Sequence, residues 1–265
     1  MEYLMTYGWA ILIVAVVIVA LFQLGIFNNS NLTPRALAGA CEVVRNAAGS
    51  SLAGQCNNEI PQSVAHFNGQ NSYVQTPVSS AMLGSSLTVS LWIELYGSPN
   101  TGIFQIANTL SNNLPFIYLQ RTSTGIFWYV DGNYYLAETL SNNAYYNVVL
   151  TYDGSTWRAY KNGQPDGTYS GGVVMSGTNT WFGNGYDGYF SGLLSNVQIY
   201  NTSLSSSEIS MLYTEGIGGA PIDPTHIVGW WPLNGNANDY SGNNNNGAQT
   251  SISYNSTWTS GYVQP

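Results

Sequence analysis

Asp239 stands in the run Asn234-Gly235-Asn236-Ala237-Asn238-Asp239-Tyr240-Ser241-Gly242, where Asn236 and Asn238 add further oxygen donors. Calcium takes six to eight such oxygens, so Asp239 is a candidate calcium ligand. The same run reads equally as a turn rich in Asn, Asp and Gly. The tyrosines Tyr134, Tyr135, Tyr145, Tyr146 and Tyr186 have the ring type that stacks on sugar faces, and also the type that fills a sandwich core or joins neighbouring heads. Glycosidic hydrolysis needs two carboxylates at fixed spacing. The chain has no Glu-x-Asp-x-x-Glu pattern, and His66 and His226 have no nucleophile motif around them. No enzyme is expected.

Cys41 and Cys56 are the only cysteines. Two cysteines do not complete a zinc site, and the histidines have no metal-type spacing to them. Outside the cell they are expected to form a disulfide. Composition narrows the partners further. Charged residues make up 7% of the chain, lysine occurs once, at Lys161, and the net charge is −8. Nucleic acid is therefore excluded as a partner. Low charge can accompany disorder, but 14% aromatic content indicates a packed fold.

The elements that must carry these residues begin with an apolar run. After Glu2 no charge appears until Arg35, and Tyr7 to Phe27 is interrupted only by Gly8, Gln23 and Gly25. As one helix, residues 1–27 would be long enough to cross a hydrocarbon core. A secretory signal would have a basic start and a shorter apolar core. An ordinary anchor would carry basic flanks. Neither is present, which suggests that a basic leader has been removed. The segment Glu2-Tyr3-Leu4-Met5-Thr6-Tyr7-Gly8-Trp9-Ala10-Ile11-Leu12-Ile13-Val14 resembles the N-terminal segment of archaeal type IV pilins. That resemblance implies cleavage by a prepilin peptidase, membrane insertion before assembly, and a helix that packs into a filament core through the pilus assembly platform. Glu2 matches the acidic residue that pairs with a neighbour's terminal amine during assembly. It equally marks a membrane–water boundary, favoured by the helix dipole.

Asn28 to Pro34 is a polar hinge, and Arg35 to Pro61 reads as a disulfide-closed loop. Sequons stand at Asn28, Asn31, Asn201 and Asn255, all candidates for N-glycosylation. From Gln62 the period becomes two. Leu87, Val89, Leu91, Ile93 and Leu95 alternate with Thr88, Ser90, Trp92 and Glu94, as in a half-buried strand. Asp-Gly and Asn-Gly turns recur between further strands, the pattern of a sandwich or jelly roll. Ser205 and Glu208 form a capping box that opens a short helix over 206–214.

The pieces His66-Phe67-Asn68-Gly69, Leu87 to Trp92, Asn147 to Gly154, Tyr160 to Gly163 and Phe190 to Asn201 resemble the laminin G-like, concanavalin A-like jelly roll, over roughly residues 62–215. Ser195-Asn196 replaces the Asp-Glu usual there. Ile227 to Gly242 resembles that family's opening segment, yet comes last, which implies a circularly permuted head over 62–265 with its first segment at 227–250, or a tail that completes a neighbour by strand addition. The fold class expected is thus a long N-terminal hydrophobic helix plus an antiparallel jelly-roll head. The function expected is the major subunit of an archaeal adhesion pilus, an extracellular helical homopolymer whose heads bind surfaces or cell-surface glycans. The alternative is a membrane-anchored cell-surface lectin that does not polymerise. No cofactor is required on either reading, with calcium the one candidate.

Overall fold

The computed structural model describes residues 8, 11–19, 35–56, 60–97, 99–110, 117–130, 133–172 and 176–265, with backbone alone at 133–138. The chain divides into two compact units, Met1–Pro34 and Arg35–Pro265.

The first unit corrects the fold class expected for the N-terminus. Among the described residues it holds helix at Gly8 and 11–19. Nine residues at a 1.5 Å rise span about 14 Å, against about 30 Å of hydrocarbon core. No helix of the described residues is long and apolar enough to cross a membrane. Apolar run length measures hydrophobicity; it does not set helix length. Glu2, Asn28, Asn31 and the expected hinge lie outside the described residues.

The second unit is a β-sandwich. Along the chain its strands are β1 (Arg35–Ala36), β2 (Cys41–Asn46), β3 (Gly49–Gly54), β4 (Ile60–Pro61), β5 (Val64–Asn68), β6 (Tyr73–Thr76), β7 (Leu87–Leu95), β8 (Thr101–Ala107), β9 (Ile117–Arg121), β10 (Gly125–Val130), β11 (Asn133–Thr139), β12 (Tyr145–Tyr152), β13 (Thr156–Lys161), β14 (Gln164–Ser170), β15 (Asn179–Phe182), β16 (Asn184–Gly185), β17 (Gly188–Tyr189), β18 (Ser191–Tyr200), β19 (Ile227–Trp231), β20 (Ala248–Thr250) and β21 (Ser253–Asn255), with helix α1 (Ser206–Thr214) before β19. The front sheet runs β11-β10-β9-β8-β15-β6-β20, with the β16–β17 hairpin attached to β8. The back sheet runs β14-β13-β12-β7-β18-β5-β21. β19 lies against the second half of β18, on the edge whose first half holds β5.

Alternation builds the core between the sheets. Leu87, Val89, Leu91, Ile93 and Leu95 of β7 point inward, to meet Phe104, Ile106, Leu119 and Phe182 of the front sheet. The other side of β7, expected to face solvent, is buried as well: Thr88, Ser90, Trp92 and Glu94 are each at most 3% exposed. A second apolar layer covers that side. It combines Ile209 and Leu212 of α1 with Cys41, Val43, Tyr200 and Trp230. α1 has the expected cap: Ser205 Oγ accepts from Glu208 N at 3.3 Å and Glu208 Oε2 accepts from Ser205 N at 2.7 Å.

The stretch 35–61, read as loop, contains the antiparallel β2–β3 hairpin. The Cys41–Cys56 disulfide closes it over a separation of 15 residues. A loop of that size contributes roughly 3 kcal/mol in the chain-entropy account. The hairpin docks on the tail, with Val43 N donating to Tyr240 O, and Arg45 donating to Ser241 O and Ile227 O. The tail itself folds in cis: β19 pairs with β18, β20 with β6 and β21 with β5.

Candidate carbohydrate-binding face

The outer face of the front sheet is built by the residues that alternate with the core. Phe104 and Ile106 of β8, Ile117 and Leu119 of β9, and Phe182 of β15 point inward. Their neighbours Gln105, Tyr118 and Trp181 therefore share the opposite face. Register joins them into one cross-strand row: Gln75 opposite Trp181, Trp181 opposite Gln105, Gln105 opposite Tyr118, and Tyr118 opposite Tyr129. Directly opposed residues bring their side chains within contact reach. The row's floor is buried, with Trp181 at 4%, Gln105 at 0% and Tyr118 at 2%.

The β16–β17 hairpin lies over this row. Gly102 and Gly185 permit the approach: a Cβ on Gly102 would stand 2.5 Å from Gly185 Cα, and one on Gly185 would stand 2.4 Å from Tyr118 Cε2. The hairpin's turn presents Asp187, which is half-buried. Asp187 Oδ2 accepts from Tyr118 OH at 2.9 Å and from Gln120 Nε2 at 2.7 Å. Asp187 N donates to Tyr118 OH at 3.3 Å. Oδ1 takes no hydrogen bond from the described residues. Next to it in the chain is Tyr186, 51% exposed; Gln120 and Tyr189 are half-buried. Tyr189 lies 6.5 Å from the Tyr73 ring. Beneath, Gln105 Nε2 and Oε1 and Trp181 Nε1 are buried without a hydrogen-bond partner. The groups of this face open to solvent are a carboxylate oxygen of Asp187, the Gln120 side chain and the Tyr186 ring, types that match the hydroxyl edge and apolar face of a sugar.

The residues singled out in the sequence lie elsewhere for the most part. Of the five tyrosines, Tyr186 lies in the hairpin turn at this face, and register puts Tyr134 opposite Tyr129 at the end of the row. Tyr145 is 8% exposed and belongs to an apolar cluster with Trp92 and Trp258 beside the back sheet. Tyr146 packs on the main core, and the side chains of Tyr134 and Tyr135 are outside the described residues. Asp239 has both oxygens engaged: Oδ1 accepts from Trp230 N and Ser241 N, and Oδ2 from Ser241 Oγ and Asn245 N, at 2.8–2.9 Å. Among the described residues no group of three or more His, Cys, Asp or Glu is placed to hold a metal ion. Asn201 is exposed. Asn255 lies in β21, its Oδ1 accepting from Thr257 N and Oγ1. Ser195 and Asn196 are structural: Ser195 Oγ donates to Pro232 O, and Asn196 joins Gly219 O, Gln198 and the Trp230 indole.

Sequence reasoning missed Asp187, Gln105, Gln120 and Trp181. The available signal was a glutamine between Phe104 and Ile106 in an otherwise apolar strand, a polar residue on the face opposite the core.

One further buried carboxylate, Glu94, sits on the outer side of β7 and accepts from Tyr96 OH at 2.9 Å. Burial pushes its carboxyl above the ordinary 4.5, while the Tyr96 and Tyr145 hydroxyls pull it back. A raised carboxyl favours folding most below its unfolded value and loses that contribution as pH rises through the folded one. The denaturant midpoint is therefore expected to fall as pH climbs above about 4.5, and Glu94→Gln is expected to flatten that slope. An unchanged slope in the variant would assign the effect to other groups.

A family profile described as the concanavalin A-like lectin/glucanases superfamily matches residues 68–210. No curated protein matches the chain. Among solved structures, a candidate carbohydrate-binding protein from Bacteroides ovatus aligns with 18% identity and a TM-score of 0.58, over 80% of this chain and 65% of that one. The chain thus spans just under two thirds of that protein's length. A heptameric SAP-like pentraxin from Limulus polyphemus aligns with 18% identity and a TM-score of 0.47, over 60% of this chain and 84% of that one. The Trypanosoma rangeli sialidase in complex with sialic acid aligns with 16% identity and a TM-score of 0.49, over 68% of this chain and 35% of that one. At these identities the likeness is one of fold.

Proposed function

The chain belongs to the concanavalin A-like lectin/glucanases superfamily, and on that premise we propose that it is an extracellular carbohydrate-binding protein that takes neutral glycans on the outer face of its front sheet. The pilus-subunit expectation depended on the long N-terminal helix and has no support in the fold. The observation that carries the binding reading is Asp187: one oxygen is fixed by Tyr118 and Gln120, the other is left to accept, and the exposed Tyr186 precedes it in the turn. A carboxylate acceptor held in this way forms the stronger class of hydrogen bond with sugar hydroxyls. The buried row of Trp181, Gln105 and Tyr118 beneath gives the Asp187 turn a packed floor. The Cys41–Cys56 bridge supports placement outside the cell.

Charge supports a neutral ligand. All five Lys and Arg side chains are placed away from this face. Arg35 donates to Ser256 O and Arg45 to Ile227 O. Arg158 pairs with Asp153 and Lys161 with Asp166 on the back sheet. Arg121 is on the inner side of β9. An acidic sugar would meet the Asp187 charge with no cation to offset it. Asp187 is bonded to a phenol and an amide, not to a second carboxylate, which fits binding without turnover.

The test is a glycan array of neutral and acidic oligosaccharides probed with the full chain, followed by titration of the best ligand. Neutral sugars are expected to bind, and Asp187→Ala to weaken them by about 10- to 100-fold, the loss of one charge-assisted hydrogen bond. Equal affinity in the variant would sink the site. Preference for acidic sugars would sink the assignment of ligand class.

A further inference from the structure

The β2–β3 hairpin leaves one edge open. Among the described residues β3 pairs with β2 and with no other strand. Gln55 N donates to Ala40 O at 2.8 Å, while Val43 N turns the other way, to Tyr240 O. Bonded and non-bonded pairs alternate along an antiparallel ladder, so Val43–Leu52 and Arg45–Ser50 are non-bonded pairs. Ser50 and Leu52 therefore aim their backbone N–H and C=O groups away from β2, where no group of the described residues meets them. Natural edges are commonly blunted by lysine, proline or a bulge. β3 reads Gly-Ser-Ser-Leu-Ala-Gly in unbroken register and has none of these.

Leu52 shares a face with Val43, which packs into the α1 layer. On that side a cavity of about 430 Å³ opens between β3 and α1, lined by Leu52, Met211, Glu215, Ala220, Pro221 and Ile222 among others. Leu52 is 37% and Met211 53% exposed. Glu215 caps the C-terminal end of α1, where the helix dipole disfavours a carboxylate. Its side chain has no hydrogen bond or ion pair with the described residues. Every Lys and Arg of the chain is engaged elsewhere: Arg35 with Ser256, Arg45 with Ser241 and Ile227, Arg121 with Asn142, Arg158 with Asp153 and Lys161 with Asp166. We propose that this edge docks an extended peptide segment of a partner protein that carries a lysine or arginine. The peptide adds a strand to β3 through the outward groups of Ser50 and Leu52, and every second side chain then faces the cavity. There the aliphatic stem of the basic side chain lies along the Met211, Pro221 and Ile222 wall and its cationic head meets Glu215. A second copy of this chain is the poorer occupant, because it brings no unengaged cation to Glu215.

The probe is a random heptapeptide library displayed on phage, selected on the full chain, with the enriched peptides then synthesised and titrated by fluorescence anisotropy. Enriched sequences are expected to share one Lys or Arg among β-branched residues. Glu215→Gln is expected to weaken their binding about tenfold, the loss of one charge-assisted interaction. Leu52→Pro removes an outward N–H without touching the β2 ladder, and is expected to abolish binding. Methylating the peptide's own backbone nitrogens one at a time is expected to hurt at every second position, the signature of strand addition. No enriched peptide, enriched peptides without a cation, unchanged affinity in Glu215→Gln, or a methylation scan without alternation would each overturn the proposal. Sedimentation that finds the wild type dimeric and Leu52→Pro monomeric would overturn it too, by making a second copy the occupant. Should Leu52→Pro fail to fold, Glu215→Gln and the methylation scan decide it.

Discussion

Trp231→Ala is expected to lower the stability of the full chain by about 3–5 kcal/mol, the range for removing a large buried aromatic side chain. Trp231 is completely buried. Its ring meets Phe182 of the front sheet edge-on at 5.1 Å, so a residue from the C-terminal tail bridges the two layers. The indole N–H donates to Asn245 O at 3.0 Å. The ring also fills the volume above Gly229, where a Cβ would stand 2.1 Å from Trp231 Cη2. Alanine would leave a cavity at the sheet–sheet contact and orphan a carbonyl. The check is the urea midpoint and slope of variant against wild type. A loss under about 1 kcal/mol, well below that range, would show that the tail contributes little to the core.

Asp239→Ala is the second large effect, expected at about 3–4 kcal/mol, because hydrogen bonds to a charged acceptor are worth about 1.5–3 kcal/mol each and are not additive. Four donors converge on this carboxylate, and the residues that supply them, Trp230, Ser241 and Asn245, are buried. Removing the acceptor strands those donors away from water. Asp239→Asn keeps one carbonyl oxygen and sets an amide NH2 against the remaining donors, so about half the loss is expected. The same melts repeated in chelator address the calcium reading. A carboxylate already saturated by protein donors is expected to give no chelator effect, and a shift of several degrees would restore calcium at this turn.

The jelly-roll head was readable because its strands carry a period of two, as in β7, and because turn chemistry punctuates them. Burial was not readable from the same pattern. Thr88, Ser90 and Trp92 look like a solvent face in sequence, yet Thr88 Oγ1 donates to Thr202 O and accepts from Leu204 N under the second layer. Alternation reports polarity; what lies over a face is decided by distant segments. The β2–β3 hairpin escaped notice because its turn is Ala47-Ala48, without the Asn-Gly signal, and β3 is rich in Gly and Ser. The Trp-Trp pair was legible as a family segment. That Trp231 faces the sheet–sheet core while Trp230 faces the α1 layer follows from strand geometry once the strand is placed. At the N-terminus, apolarity was mistaken for helix length. The candidate face was hidden because its residues come from β8, β9, β15 and the β16–β17 turn, and register alone brings them together.

The shared edge of β18 also sets a timetable for folding. Its first half is claimed by β5 and its second half by β19, and the last strands close on the first: His66 and Ser253 meet across 187 residues of chain. Contacts so distant in sequence close slowly, because the entropy of a long loop must be overcome first. During synthesis the ribosome delivers β5 early and β19 to β21 last, so the edges of both sheets stay open until the final segment emerges. An open edge is a template for wrong pairing. The nascent head is thus most exposed to aggregation in the interval before its final strands arrive, and factors that shield unpaired strands have their effect there.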